Sequence, residues 1–224
     1  MTPMPATPTA RLAHAVALLL ILVFGPQPAG AQVSSAQRGT LSILFGQGSG
    51  PAGALAAEVA QRKELPEITK HSLGWQIAGG YNFADYFGVE TGIARIGTLK
   101  STAKYLVRDQ ITAESTLSVI SVDLIGRLPV ASMLRFNFRA GVAESALNTN
   151  LSTSQGSSLP FGQSNPVKTR RFGYDAGVDA ELRMNDHLSL LVGYRAFPNV
   201  GSDHSIGSAN GTYSMVVGGL HVEF

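Results

Sequence analysis

Along residues 170–184, RRFGYDAGVDAELRM, apolar and polar positions alternate over a dozen residues. Phe172, Tyr174, Ala176, Val178, Ala180 and Leu182 take the even positions, while Arg171, Gly173, Asp175, Gly177, Asp179 and Glu181 take the odd ones. A period of two describes a strand with two unlike faces. A helix would set Asp175 and Asp179 beside Phe172 and mix those faces. The same alternation predicts strands over 39–47, 72–82, 86–97, 115–128, 133–142, 187–197 and 211–224, making eight in all. Leu41, Ile43 and Phe45 mark the apolar face of the first, Leu73, Trp75, Ile77 and Tyr81 that of the second, and Phe87, Val89 and Ile93 that of the third.

The links between these strands alternate in length. Residues 48–71, 98–114, 143–169 and 198–210 are long, polar and rich in Gly, Ser, Asn and Thr, whereas the links FAD, VAS and MND are tight. An even number of strands, long loops at one end and short turns at the other predict an all-β fold: an eight-stranded antiparallel up-and-down transmembrane β-barrel. Both termini then lie on the short-turn, periplasmic side. Trp75, Phe172, Tyr174, Phe197 and Tyr213 are expected at the loop rim, and Tyr81, Phe83, Tyr86, Phe87 and Phe224 at the turn rim. Two aromatic belts around a band of Val, Ile, Leu and Ala suit a lipid boundary. The alternative, a soluble lipocalin-like carrier, would turn the charged face to water.

Composition fits a barrel of this kind. Charged residues are 14 % of the chain, against roughly 25 % in ordinary soluble domains. With no cysteine there is no disulfide framework or thiolate metal site. The formal charge is +2 from 17 basic and 15 acidic residues; residues 1–31 hold Arg11 and no acid, leaving 16 against 15. That balance lacks the basic footprint of a nucleic-acid binder. In the first residues, Arg11 precedes the apolar run 12–24 and the small residues Ala29 and Ala31. This pattern predicts a secretory signal cleaved after Ala31, since the run is shorter than the roughly 20 residues a spanning helix needs. The expected organisation is a signal peptide over 1–31, a short periplasmic segment over 32–38 and the barrel over 39–224.

Eight strands enclose a space that side chains just fill. Glu90, Asp123, Arg127, Arg135, Arg139, Asp175, Asp179, Glu181, Arg195 and Glu223 are predicted to point into it, and charges there require partners. Centring one turn on Asn185 sets Asp175 opposite Arg195; centring another on Ala131 sets Asp123 opposite Arg139. The second register also places Arg127 opposite Arg135, which calls for an intervening acid such as Glu223 or Glu181. The expected role of these charges is a structural plug.

Other motifs add no chemistry. Asp203, His204 and Ser205 are adjacent in sequence, but a hydrolytic triad needs spatial adjacency with the base between its partners; a Gly/Ser loop explains them as turn residues. GQGSG at 46–50 has no following lysine and no strand-loop-helix setting for a phosphate loop. Residues 51–65, Ala-rich and ending before Pro66, predict a short helix in the first long loop. NGT at 210–212 reads as a chance glycosylation match. No catalytic residue, metal site or cofactor is expected.

The segments GWQIAGGYNFADYFGVETGIARIG and GYDAGVDAELRMNDHLSLLVGYRAF, with the last strand, resemble the outer-membrane β-barrel family of opacity-type and OmpA-like transmembrane domains. Gly219, Leu220, Val222 and the terminal Phe224 resemble the assembly signal of such barrels. The resemblance implies the barrel-assembly machinery as a partner, alongside outer-membrane lipid and lipopolysaccharide. YRAFPNVG at 194–201 is similar to a segment of the lipid A deacylase barrels that carries a catalytic His and Ser. Ala196 and Pro198 stand at those positions, and neither can accept a proton or attack an ester. The expectation is therefore a structural, adhesion or surface-interaction protein whose long loops, 48–71 and 143–169 above all, meet an extracellular ligand. A lipid-modifying enzyme is the alternative.

Overall fold

The computed structural model describes residues 38–50, 67–68, 72–106, 109–153, 166–200 and 212–224. The signal peptide, the helix expected over 51–65 and the Asp203–Ser205 run lie outside them. The described elements are all strands: β1 (Arg38–Ser49), β2 (Glu67–Ile68), β3 (Ser72–Asn82), β4 (Phe87–Leu106), β5 (Asp109–Pro129), β6 (Leu134–Thr153), β7 (Val167–Arg183), β8 (Leu188–Phe197) and β9 (Tyr213–Glu223). Each pairs antiparallel with its neighbours, and β1 pairs with both β3 and β9, so β1 and β3–β9 close into an eight-stranded barrel. The two-residue β2 adds to β4 through Glu67 and Ile68, opposite Thr102 and Ser101.

Closure follows from the end of the chain. The Phe224 amide donates to Gly39 O at 3.0 Å, and the Gly39 amide donates to Phe224 O at 2.9 Å. The Phe224 ring lies so close over Gly39 that a Cβ there would come within 2.7 Å of it. Strand pairing thus continues to the last residue. An unpaired edge would leave backbone groups unsatisfied in hydrocarbon.

Outward positions form an apolar band. Leu41, Ile43, Ile77, Ile93, Leu124, Val142, Val178, Val192 and Leu220 are exposed around its waist, with Phe83, Tyr86, Phe87 and Phe224 at the turn rim and Phe45, Trp75, Phe172 and Tyr174 toward the loop rim. The band stops where the outward face reaches Arg95, Ser118 and Arg170. On β7 it runs from Leu182 to Phe172, consistent with the roughly 9–11 residues a tilted strand needs to cross.

Three expectations change. Residues 98–106 and 109–114 are not loose polar loop: β4 and β5 continue to pair past the band, with a register shift between Ile96 and Leu99. β6 likewise runs on to Thr153, within the expected 143–169 loop. Above the band polar residues take both faces, with Ser115 and Thr149 buried inward and Asn148 and Asn150 exposed outward, so the hydropathy period of two fades from the sequence while pairing continues. Cross-strand hydroxyl contacts such as Thr102 to Thr112, 3.3 Å, and Ser115 to Thr149, 2.9 Å, take its place. The root of the first loop is also strand as far as Ser49, within the expected 48–71 loop.

Candidate functional site

The inward parity of the eight strands builds the lumen, and its contents change with height. Toward the turns it is ionic. Arg135 and Glu181 stand directly opposite across β6 and β7. Arg135 Nε and Nη2 donate to the two Glu181 oxygens at 2.7 and 2.5 Å, and Nη2 also donates to Glu223. Asn137 Nδ2 adds a bond to Glu181 at 2.8 Å, and Arg38 approaches Glu223 at 3.6 Å.

One step higher, Arg139 reaches three carboxylates: Glu90 at 2.5 Å, Asp179 at 3.3 Å and Asp123 at 3.8 Å. Asp179 also accepts from Arg195 Nη1 at 2.6 Å, and Gln76 Oε1 accepts from Arg195 Nε at 3.2 Å. Arg195 and Asp179 are fully enclosed. Gly193 faces Asp179 across β7 and β8, where an added Cβ would overlap the carboxylate. Glycine at this position makes room for the ion pair.

Toward the loops the lumen turns apolar. Ile96 and Leu99 of β4, Leu117 and Val119 of β5, Phe197 of β8, Val200 just beyond it, and Tyr213 and Met215 of β9 pack into one buried cluster. Ile96 and Phe197 are 0 % exposed, so this cap is closed to water at its centre.

Several sequence expectations meet a different geometry. The β5–β6 and β7–β8 registers are each offset by two residues from those expected. Asp123 faces Gly141 and Arg139 faces Ile125; Gly177 faces Arg195 and Asp179 faces Gly193. Asp123 still approaches Arg139 diagonally. Arg195 bonds Asp179 instead of Asp175, and neither Asp175 oxygen accepts a hydrogen bond. Arg127 faces Asn137, which removes the feared Arg127–Arg135 opposition. The turns around 131 and 185 are four-residue links whose hydrogen bonds, such as Ala131 N to Leu134 O and Asn185 N to Leu188 O, move the centre of each hairpin by one position. Phe197 and Tyr213, expected at the lipid rim, face inward and belong to the cap. The signal for this was present, because Phe197 shares its parity with Arg195.

Some lumen residues escaped the charge-based reading. Gln76, Asn137, Ser121 and His221 lie on the predicted inner face but carry no fixed charge. Ser121 donates to Asp123 at 3.0 Å, and His221 Nδ1 lies 2.9 Å from Ser42 Oγ. Glu181, His221 and Glu223 bring ligand-type atoms within 4.8 Å of one another. The Arg135 guanidinium bonds both carboxylates and stands where a cation would. At the deacylase-like positions, Ala196 is half-buried and faces Ala176, and Pro198 O accepts from the Tyr174 amide at 3.2 Å. Neither residue offers a nucleophile or a base.

A family model described as the outer membrane protein β-barrel domain matches residues 15–224. Among solved structures, Neisserial surface protein A is 13 % identical with a TM-score of 0.52, covering 85 % of this chain and 98 % of that one. The outer membrane protein OprG from Pseudomonas aeruginosa is 14 % identical with a TM-score of 0.57, covering 84 % and 96 % respectively. At these identities the likeness is one of fold. No curated protein matches the chain.

Proposed function

The chain belongs to the outer membrane protein β-barrel domain family, and from that premise we propose that it is a plugged surface barrel that works through its loop end. It is a protein of the bacterial outer membrane. The observation that carries the proposal is the filled lumen: ion pairs from Arg135 to Arg195 lie beneath the apolar cap of Ile96, Leu117 and Phe197. A small barrel filled in this way offers no path for solute, which leaves the outer surface and the loops to carry function.

In this reading the tall β4–β7 wall and the loops beyond it meet an extracellular ligand, while lipid and lipopolysaccharide surround the band. Residues 1–31 act as the export signal, cleaved near Ala31, and the last strand with Gly219, Leu220, Val222 and Phe224 is read by the barrel-assembly machinery. A lipid-modifying activity gains nothing from Ala196 and Pro198, so the proposed role is structural or adhesive.

Surface pull-down with wild-type protein and with a variant whose β4–β5 hairpin tip is shortened tests the loop role. The expected result is a partner retained by the wild type and lost with the tip; equal capture by both would refute it. Deleting Phe224 is expected to lower barrel yield more than shortening that tip does, and equal yields would count against the assembly reading.

A further inference from the structure

At the turn end the lumen opens into a cavity of about 450 Å³ that is lined by Arg38, Arg127, Arg135 and Arg183 against Asp85, Asp186 and Glu223. The acids are mostly committed or peripheral. Glu223 is held by Arg135 and Arg38, and Asp85 and Asp186 are exposed on the turns. Arg127 differs from its neighbours. It is only 8 % exposed, its Nε and Nη1 donate to nothing, and it forms no ion pair among the described residues. The nearby oxygen is the neutral Asn82 Oδ1, itself without a donor. Gly88 leaves this corner open: a Cβ there would stand 2.7 Å from Asn82 Oδ1 and 3.0 Å from Arg127 Nη1.

A buried guanidinium without an acceptor is costly, and planar bidentate binding of an oxyanion is what its donors favour. Below Arg139 the inner face holds Arg127 and Arg135 against Glu181 and Glu223, but Arg135 engages both acids and leaves Arg127 none. The exposed Tyr86 and Met133 edge the same cavity at the depth where lipid headgroups lie.

We propose that this mouth is an oxyanion site in which Arg127 takes a phosphate group from the periplasmic side. Its orientation rests on the outer-membrane reading, whereas the phosphate binding itself does not. Arg127 supplies the paired donors, Arg38 and Arg183 draw the anion in, and the volume admits a phosphate ester as well as free phosphate. The group would arrive either as a soluble phosphate or on a lipid headgroup.

The test uses the folded chain in octyl glucoside micelles, which contain no phosphate. Inorganic phosphate is titrated against chloride at matched ionic strength, and the Arg127 Nε–Hε resonance is followed by NMR. A saturable shift is expected with phosphate and not with chloride. Because charge-assisted bonds of this kind are lost, R127Q should weaken binding by roughly tenfold or more. R127K, which keeps the charge without the fork, should fall between. Heat-modifiable mobility confirms that each variant is folded, and the wild-type titration stands without any variant. A parallel titration with short-chain phosphatidylglycerol separates the sources: tighter saturation by the lipid identifies a headgroup, and tighter saturation by inorganic phosphate a soluble anion. A shift that follows ionic strength alone, or unchanged affinity in R127Q, would overturn the proposal.

Discussion

The two halves of the lumen are built from the same strands and the same parity, yet they are held by opposite physics. Toward the turns, Asp179 joins Arg139 and Arg195, and Glu181 joins Arg135 and Asn137. Toward the loops, Leu117, Ile96, Phe197 and Met215 pack with no polar contact required. In the ionic half a lost partner strands a buried charge, a cost that packing cannot relieve. In the apolar half the cost of a change scales with the volume removed, and a neighbour of similar shape is tolerated. The lower half therefore demands particular atoms, and the upper half demands only volume.

Substitutions at single positions separate these regimes, with urea unfolding of the folded barrel as the common measurement. Asp179→Ala should have the largest effect, about 3–5 kcal/mol of destabilisation, because Arg139 and Arg195 both lose a carboxylate. A loss below that of an ordinary surface change would show that the network carries no strain of pairing. Leu117→Ala should cost about 2–5 kcal/mol through the cavity it leaves. Leu117→Met should cost less than about 1.5 kcal/mol, since volume is nearly kept. If Leu117→Met proved as harmful as Leu117→Ala, the cap would depend on exact shape and the contrast would fail.

The smallest change sharpens the comparison within the ionic half itself. Asp175 is as buried as Asp179, but its oxygens accept no hydrogen bond, and it sits across Gly141 from another acid, Asp123. Asp175→Asn should therefore leave stability within about 1 kcal/mol of wild type, or raise it slightly, because no bond is lost and a like charge is removed. A loss matching that of Asp179→Ala would mean that Asp175 has a partner in solution.

The barrel was largely legible in the sequence because a lipid-facing strand must be apolar at every second residue, a constraint strong enough to mark all eight strands. Wherever that constraint lapsed, so did the reading. The upper parts of β4, β5 and β6 carry polar residues on both faces, the buried Ser115 and Thr149 as well as the exposed Asn148 and Asn150, so hydropathy shows no parity to betray a strand. The lumen charges were visible one by one, but their pairing was not, since a shift of two residues preserves every face and exchanges every partner. Such a shift moved Arg195 from Asp175 to Asp179. The apolar cap was missed for another reason. The aromatic character of Phe197 and Tyr213 suggested a lipid belt, although the parity of β8 already set Phe197 on the side of Arg195. Composition describes what a residue tolerates, and parity describes where it points.

In the proposed function, ionic floor and apolar cap together close the lumen to solute. Planar-bilayer recording from purified, folded monomer reads this out. No stable conductance above the bare membrane is expected. Large, steady single-channel conductance from that monomer would mean an open lumen and refute the proposal.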